Sequence, residues 1–131
     1  MRATPPALDA VEKDTLRKIT SLEQRLRGRQ APEKRPLASA KGVQKLKRAA
    51  YHARRAHAPA SRELAAELLR ISARIAHHGL DPVLAGALRS TVEAAVAVEA
   101  QSGEPVARRI ATAVDWFAKP HAFKRSRTPE Q

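Results

Sequence analysis

The stretch HHGLDPVL, residues 77–84, contains the clearest signal of a boundary between two helices in this sequence. Gly79 can adopt the left-handed conformation that ends many helices, and Leu80 is placed to make the hydrophobic contact that accompanies such an end. Asp81 is a preferred cap at a helix N-terminus, and Pro82 is favoured at the first helical position. The stretch therefore predicts one helix that ends before Gly79 and a second that begins at Pro82.

Apolar residues recur at intervals of three and four on both sides of this junction, which predicts helices along most of the chain. Aromatic residues make up only 3% of the sequence, far below the usage of a β-sandwich. Because 27 of the 131 residues are alanine, we expect a thin core. We predict an all-α fold, a compact bundle of about five helices with a short basic C-terminal tail. The expected helices cover about residues 7–27, 39–57, 62–78, 82–100 and 105–119.

A chain of this length has room for one domain with a single core. We expect residues 1–120 to form the helical domain, with Trp116 and Phe117 in its core, and residues 121–131 to form a flexible basic tail. The absence of cysteine excludes disulfides and thiolate zinc sites. No stretch approaches the roughly 20 apolar residues of a membrane-spanning helix, and the N-terminus shows no targeting signal. We therefore expect a cytoplasmic protein that does not associate with a membrane.

The positive charge is concentrated in two segments. Lys and Arg number 25 against 13 for Asp and Glu, which gives a net charge of +12. Residues 34–62 contain nine of these cations and no acid, and residues 119–127 contain four and no acid. The remainder of the chain carries one more acid than it carries bases. Such a surplus favours a polyanionic partner, of which nucleic acid is the commonest.

The basic residues of the second helix repeat at intervals of four and three, the period of one helical face. They lie about 200° from the apolar stripe, so we expect them to point away from the core. At about 1.5 Å per residue the row is about 20 Å long and can follow several phosphates. Phosphate contacts do not read bases, so we predict sequence-independent binding to the backbone of RNA or single-stranded DNA. The residues of this row are Lys41, Lys45, Arg48, His52 and Arg55.

A second row, formed by Lys47, Tyr51 and Arg54, flanks the first and places one aromatic ring among the cations. A single-stranded base can stack on such a ring, although a half-buried helix residue would show the same spacing. The tail is predicted to assist binding through four further cations. These are Lys119, Lys124, Arg125 and Arg127.

Other interpretations of the same residues remain open. A helix-turn-helix over residues 75–88 would place the fourth helix in the major groove, but that helix offers few polar residues beyond Arg89, Ser90 and Thr91. Membrane-surface binding would need large apolar residues opposite the cations, where this chain has mostly alanine. The basic face could instead meet an acidic protein, as in an accessory or regulatory protein of a plasmid or phage.

Enzymatic activity is not expected. The sequence contains no glycine-rich phosphate loop, nucleophile elbow or pair of suitably spaced carboxylates. His77 and His78 are explained by their position at a helix C-terminus, where the helix dipole favours a positive charge. No residue pattern predicts a metal or another cofactor.

The segment ELLRISARIAHHGL, residues 67–80, is followed by AGAL at residues 85–88. This helix, Gly-Leu turn and alanine-rich helix resemble the small helical-bundle subunit of multi-subunit CRISPR effector complexes. The resemblance implies a non-catalytic subunit of a ribonucleoprotein in antiviral defence. Such a subunit packs along the guide-RNA-bound backbone of larger proteins and holds nucleic acid on basic faces. No site residue is carried over from this resemblance.

Overall fold

The computed structural model describes residues 6–28, 40–56 and 58–118, and it contains five α-helices within these ranges. No strand occurs among the described residues, so the predicted all-α bundle is confirmed. The four tail cations predicted to bind nucleic acid lie outside the described ranges. The helices are α1 (Pro6–Gly28), α2 (Ala40–Arg55), α3 (Pro59–His78), α4 (Pro82–Ser102) and α5 (Val106–Ala118).

The junction between α3 and α4 is capped on both sides. Gly79 has φ 83° and donates its N–H to the carbonyl of Ile75 at 2.8 Å. Its ψ of 165° differs from the predicted left-handed helical conformation and lies in a region open mainly to glycine. Asp81 accepts a hydrogen bond from the N–H of Leu84 at 2.7 Å, and Pro82 occupies the first turn, as predicted. The sequence therefore identified both helix ends, and only the conformation of the glycine differs.

Packing among the five helices gives one continuous core. α2 packs between α3 and α5, α1 packs on α4 and α5, and α4 also contacts α3 and α5. The apolar residues that recur at intervals of three and four in α3, α4 and α5 are largely buried. The largest fully buried side chains are Phe117, Leu8, Ile19, Leu22, Leu46, Leu68, Ile71, Ile75, Leu88, Ile110, Val92 and Val106.

Small residues bring α2 close to its neighbours. Ala49, Ala50 and Ala53 have no exposed surface. A Cβ atom at position 42 would lie 2.8 Å from the ring of Phe117, closer than real Cβ atoms approach another group. Because Gly42 has no side chain, the phenyl ring of α5 can lie directly against the backbone of α2.

A buried carboxylate holds the start of α5 against α4. Glu99 is only 8% exposed, and its Oε1 accepts hydrogen bonds from the N–H groups of Ala107 at 2.9 Å and Arg108 at 3.3 Å. The Arg108 Nε donates to the other carboxylate oxygen at 2.7 Å. The first N–H groups of a helix have no partner within that helix, so Glu99 supplies the N-terminal cap of α5 from the preceding helix.

Ion pairs fasten α1 to the rest of the bundle. Arg89 of α4 donates to Glu23 of α1 at 2.6 Å. Lys18 of α1 donates to Asp115 of α5 at 2.6 Å and also pairs with Asp14 at 3.0 Å. Hydrogen bonds to Asp115 and Asp14 raise the pKa of Lys18, and the bond from Lys18 is the main cause of the lowered pKa of Asp14. These polar contacts complement the apolar core at the N-terminal helix.

Candidate nucleic-acid interface

The outer face of α2 carries a dense group of exposed cations. α3 and α5 cover two sides of α2, and the remaining side is exposed to solvent. Val43, Leu46 and Ala50 lie on the covered side, as their spacing predicted. The predicted contact residues that are exposed are Lys41, Lys47, Arg48, Tyr51, Arg54 and Arg55. We refer to these six residues together with Lys45 as the α2 basic face.

The cations of the α2 basic face have no carboxylate partner within 4.0 Å among the described residues. Elsewhere in the bundle cations do pair with acids: Lys13 lies 3.2 Å from Asp9, and Arg70 lies 3.4 Å from Glu67. Pairs spaced three or four residues apart are the usual arrangement on a solvated helix. The α2 basic face departs from it, and its positive charge is left uncompensated by the described part of the protein.

Two members of the predicted row are less exposed than the others. Lys45 and His52 are half-buried, because Gly42 and Ala49 extend the buried face of α2 toward them. The prediction placed the centre of the buried face on the larger apolar residues and did not anticipate the partial burial of these two side chains. His52 lies with its Nδ1 3.6 Å from Oε1 of Glu104. That distance is too long for a hydrogen bond, and the buried Nδ1 has no other hydrogen-bond partner among the described residues.

Aromatic rings accompany two of the exposed cations. Tyr51 is 50% exposed, and the guanidinium carbon of Arg54 lies 6.0 Å from the centre of its ring. The Nζ of Lys41 lies 5.3 Å from the centre of the Trp116 ring. Trp116 is half-buried at the edge of the bundle, which corrects the expectation that it lies in the core, whereas Phe117 is buried as predicted. Rings near the cations can add stacking and cation–π contacts to a charged surface.

A cleft of about 160 Å³ lies between α2 and α5, at the edge of the α2 basic face. Lys45 and Arg48 line it from α2, and Arg109 and Thr112 line it from α5. The Nε of Arg109 is buried and has no hydrogen-bond partner among the described residues. The two α5 residues were not predicted, because periodicity within one helix does not reveal which residues of another helix lie beside it. The signal that the sequence did offer is the adjacent pair Arg108 and Arg109 near the start of this mostly apolar helix.

Two of the three polar residues that could make α4 a DNA-binding helix are engaged within the bundle. Arg89 donates to Glu23 and also to the Thr20 hydroxyl at 2.7 Å, and Thr91 is buried with its hydroxyl donating to a carbonyl of its own helix. Of the three polar side chains that could face a major groove, Ser90 is exposed. This arrangement does not favour α4 as a recognition helix.

Within the described ranges, no three His, Asp or Glu side chains cluster in a way that could hold a metal ion. None of the helices described here is both long enough and apolar enough to span a bilayer. Comparisons with protein-family models, curated proteins and solved structures found no match to this chain. The resemblance to a CRISPR effector subunit therefore remains a prediction.

Proposed function

We propose that this chain is a non-catalytic protein that binds the backbone of RNA or single-stranded DNA without sequence preference. The observation that supports the proposal most directly is the α2 basic face, whose cations have no carboxylate partner among the described residues. An exposed row of unpaired cations gains free energy by displacing counterions from a polyanion.

The geometry of the face suits a single strand. From Lys41 to Arg55 the row extends for about 20 Å at about 1.5 Å per residue. Nucleic-acid strands place their phosphates regularly along such a length, and the exposed ring of Tyr51 offers a surface on which one base can stack. Lysine and arginine contacts to phosphates fix position but carry little sequence information, which accounts for binding without sequence preference.

We further propose that the protein acts within a larger cytoplasmic nucleoprotein assembly, with other protein subunits as partners. The resemblance of residues 67–88 to the small subunit of CRISPR effector complexes supports this context. In this protein those residues form the second half of α3, the capped turn and the start of α4. An acidic protein as the partner of the α2 basic face, in an accessory protein of a plasmid or phage, is the competing proposal.

Fluorescence anisotropy with labelled single-stranded RNA and DNA, measured over a range of salt concentrations, tests the proposal. The variant Lys41→Gln, Arg48→Gln, Arg55→Gln removes three cations of the face. Each lost phosphate contact should reduce the slope of log K against log salt by about 0.7, or about two units for all three. A matched control, Arg27→Gln, Arg70→Gln, Arg74→Gln, removes the same charge from exposed positions on α1 and α3.

The control is expected to keep most of the salt dependence, because its three cations lie outside the proposed site. Circular dichroism should show that both triple variants remain helical, since exposed positions contribute little to stability. If the wild-type protein binds no nucleic acid even at low salt, the proposal fails and an acidic protein becomes the favoured partner. An equal loss in both variants would show that net charge, and not the α2 basic face, determines binding.

A further inference from the structure

The cleft between α2 and α5 brings together positive charges from two helices. Lys45 and Arg48 are three residues apart on α2, and Arg109 and Thr112 are three residues apart on α5. Residues at this spacing are neighbours on a helix surface, so each pair faces the cleft as a unit. Among the described residues, three cations and a hydroxyl line the cleft, and no carboxylate does.

One donor of a residue that lines this cleft has no partner within the described part of the protein. It is the Nε of Arg109, which is buried. Burying an N–H donor without a partner is unfavourable, and the cost is larger when the group is charged. Like charges gathered in one cleft also repel each other, and an anion between them would offset this repulsion.

We infer that this cleft binds one phosphoryl group, with Arg109 as its central ligand. Its volume of about 160 Å³ is several times the roughly 30 Å³ that a water molecule occupies in the liquid, which leaves room for a tetrahedral oxyanion. The planar guanidinium presents donors in a fork that matches two phosphate oxygens, and Lys45 adds a point charge. The Thr112 hydroxyl now donates to the Arg108 carbonyl at 3.1 Å, and rotation about its C–O bond can redirect this hydrogen to the anion.

The inference rests on the proposed function for the source of the phosphoryl group, which is then an internal or a terminal phosphate of the bound strand. It extends the site beyond α2, because Arg109 and Thr112 belong to α5. A phosphate held between two helices would fix the register of the strand on the α2 basic face, while the exposed cations follow the rest of the backbone.

Titration of the full chain with inorganic phosphate tests the cleft separately from nucleic-acid binding. Two-dimensional amide NMR at constant ionic strength should show saturable shifts at Lys45, Arg48, Arg109 and Thr112. In Arg109→Gln the affinity should fall by about tenfold or more, because a charged multidentate ligand is lost. Arg74→Gln, at an exposed position of α3, is the matched control and should stay within about twofold of wild type. Arg109→Lys keeps the charge without the fork and should recover only part of the affinity.

The cleft is not a phosphate site if the amide shifts of the wild type do not saturate with phosphate. It is also not one if Arg109→Gln binds phosphate as tightly as the wild type does. In that case the salt dependence of RNA and single-stranded DNA binding would still test the proposed function. Saturable phosphate binding without any binding of RNA or DNA would retain the cleft and refute the proposed function. Oligonucleotides with a 5′-phosphate or a 5′-hydroxyl then identify the source of the phosphoryl group. If the wild type binds the phosphorylated strand more tightly and Arg109→Gln loses this preference, the cleft holds a terminal phosphate. If the wild-type protein binds both oligonucleotides equally well, and Arg109→Gln weakens the binding of both by the same factor, the cleft holds an internal phosphate.

Discussion

Substitution of Gly42 by alanine tests the close contact between α2 and α5. The new Cβ would lie 2.8 Å from two ring atoms of Phe117, and that ring is only 1% exposed and cannot move into solvent. Overpacking of this kind costs about 1–3 kcal/mol. Replacing glycine by alanine in a helix gains about 0.5–1 kcal/mol, so Gly42→Ala should have a net destabilising effect of up to about 2.5 kcal/mol.

Gly86 is the matched control because it lies inside α4 and a Cβ there would meet nothing within 4 Å. Gly86→Ala should therefore be more stable than the wild type by about 0.5–1 kcal/mol. The two substitutions share the gain in helix propensity, so the difference between them measures the steric clash. Urea unfolding followed by circular dichroism at 222 nm gives both values. With a slope of about 1–3 kcal/mol per molar urea, the two midpoints should differ by about 1 M.

The double substitution Gly42→Ala, Phe117→Leu isolates the contact itself. Removing the ring makes room for the new methyl group, so the two changes together should cost less than the sum of the two separate costs. A coupling of about 1 kcal/mol lies within the range observed for residues in contact. If Gly42→Ala is as stabilising as Gly86→Ala, or if the two costs add without coupling, α5 does not approach α2 as closely as described here.

Three further predictions concern separate parts of the bundle. Glu99→Ala removes the cap of α5 and should cost about 1–3 kcal/mol in urea unfolding, while Glu93→Ala, at an exposed position on the same helix, should cost less than about 0.5 kcal/mol. If a base stacks on Tyr51, Tyr51→Ala should weaken the binding of a single strand by about 1–3 kcal/mol, whereas Tyr51→Phe keeps the ring and should bind like the wild type. Equal effects of Tyr51→Ala and Tyr51→Phe on binding would exclude stacking. Because folding lowers the pKa of Asp14, its ion pair contributes stability above about pH 4, and this contribution is lost as the pH falls through the lowered pKa of the folded state. Because folding raises the pKa of Lys18, its ion pairs contribute stability below about pH 10.4, and this contribution is lost as the pH rises through the raised pKa of the folded state. The stability difference between the wild type and Lys18→Met should therefore be largest near neutral pH and shrink at both extremes, and a difference that does not vary with pH would contradict this pairing.

The elements were predictable because their signals are local. The Asp81 cap and Pro82 start α4 where the sequence placed them, and the apolar stripes of α3 and α5 are buried as their spacing required. The rotation of α2 was less well predicted. Gly42 and Ala49 contribute little hydrophobicity, so their inclusion in the buried face was not evident until the packing of α5 against them was known.

The contacts that join the helices could not be derived from periodicity. Glu99 has the sequence signature of an ordinary helix-surface charge, yet it is buried and caps the next helix. Arg109 reaches the cleft only because α5 packs beside α2, and no pattern within either helix reports that pairing. The charge of the site was therefore visible in the sequence, whereas its boundary on α5 depends on tertiary packing.

The attachment of α1 has a consequence for how the bundle opens. Its ion pairs to α4 and α5 join residues 66 and 97 positions apart, whereas the Glu99 cap joins residues 8 apart. Closing long loops costs more chain entropy, so we expect α1 to detach at a lower free energy than the helical hairpin of α4 and α5. α2 is held by α3 and α5, and such a partial opening would leave the face that carries Arg48 and Arg55 assembled. Detachment of α1 would therefore expose the surfaces of α4 and α5 that it covers, without changing the charged surface of α2.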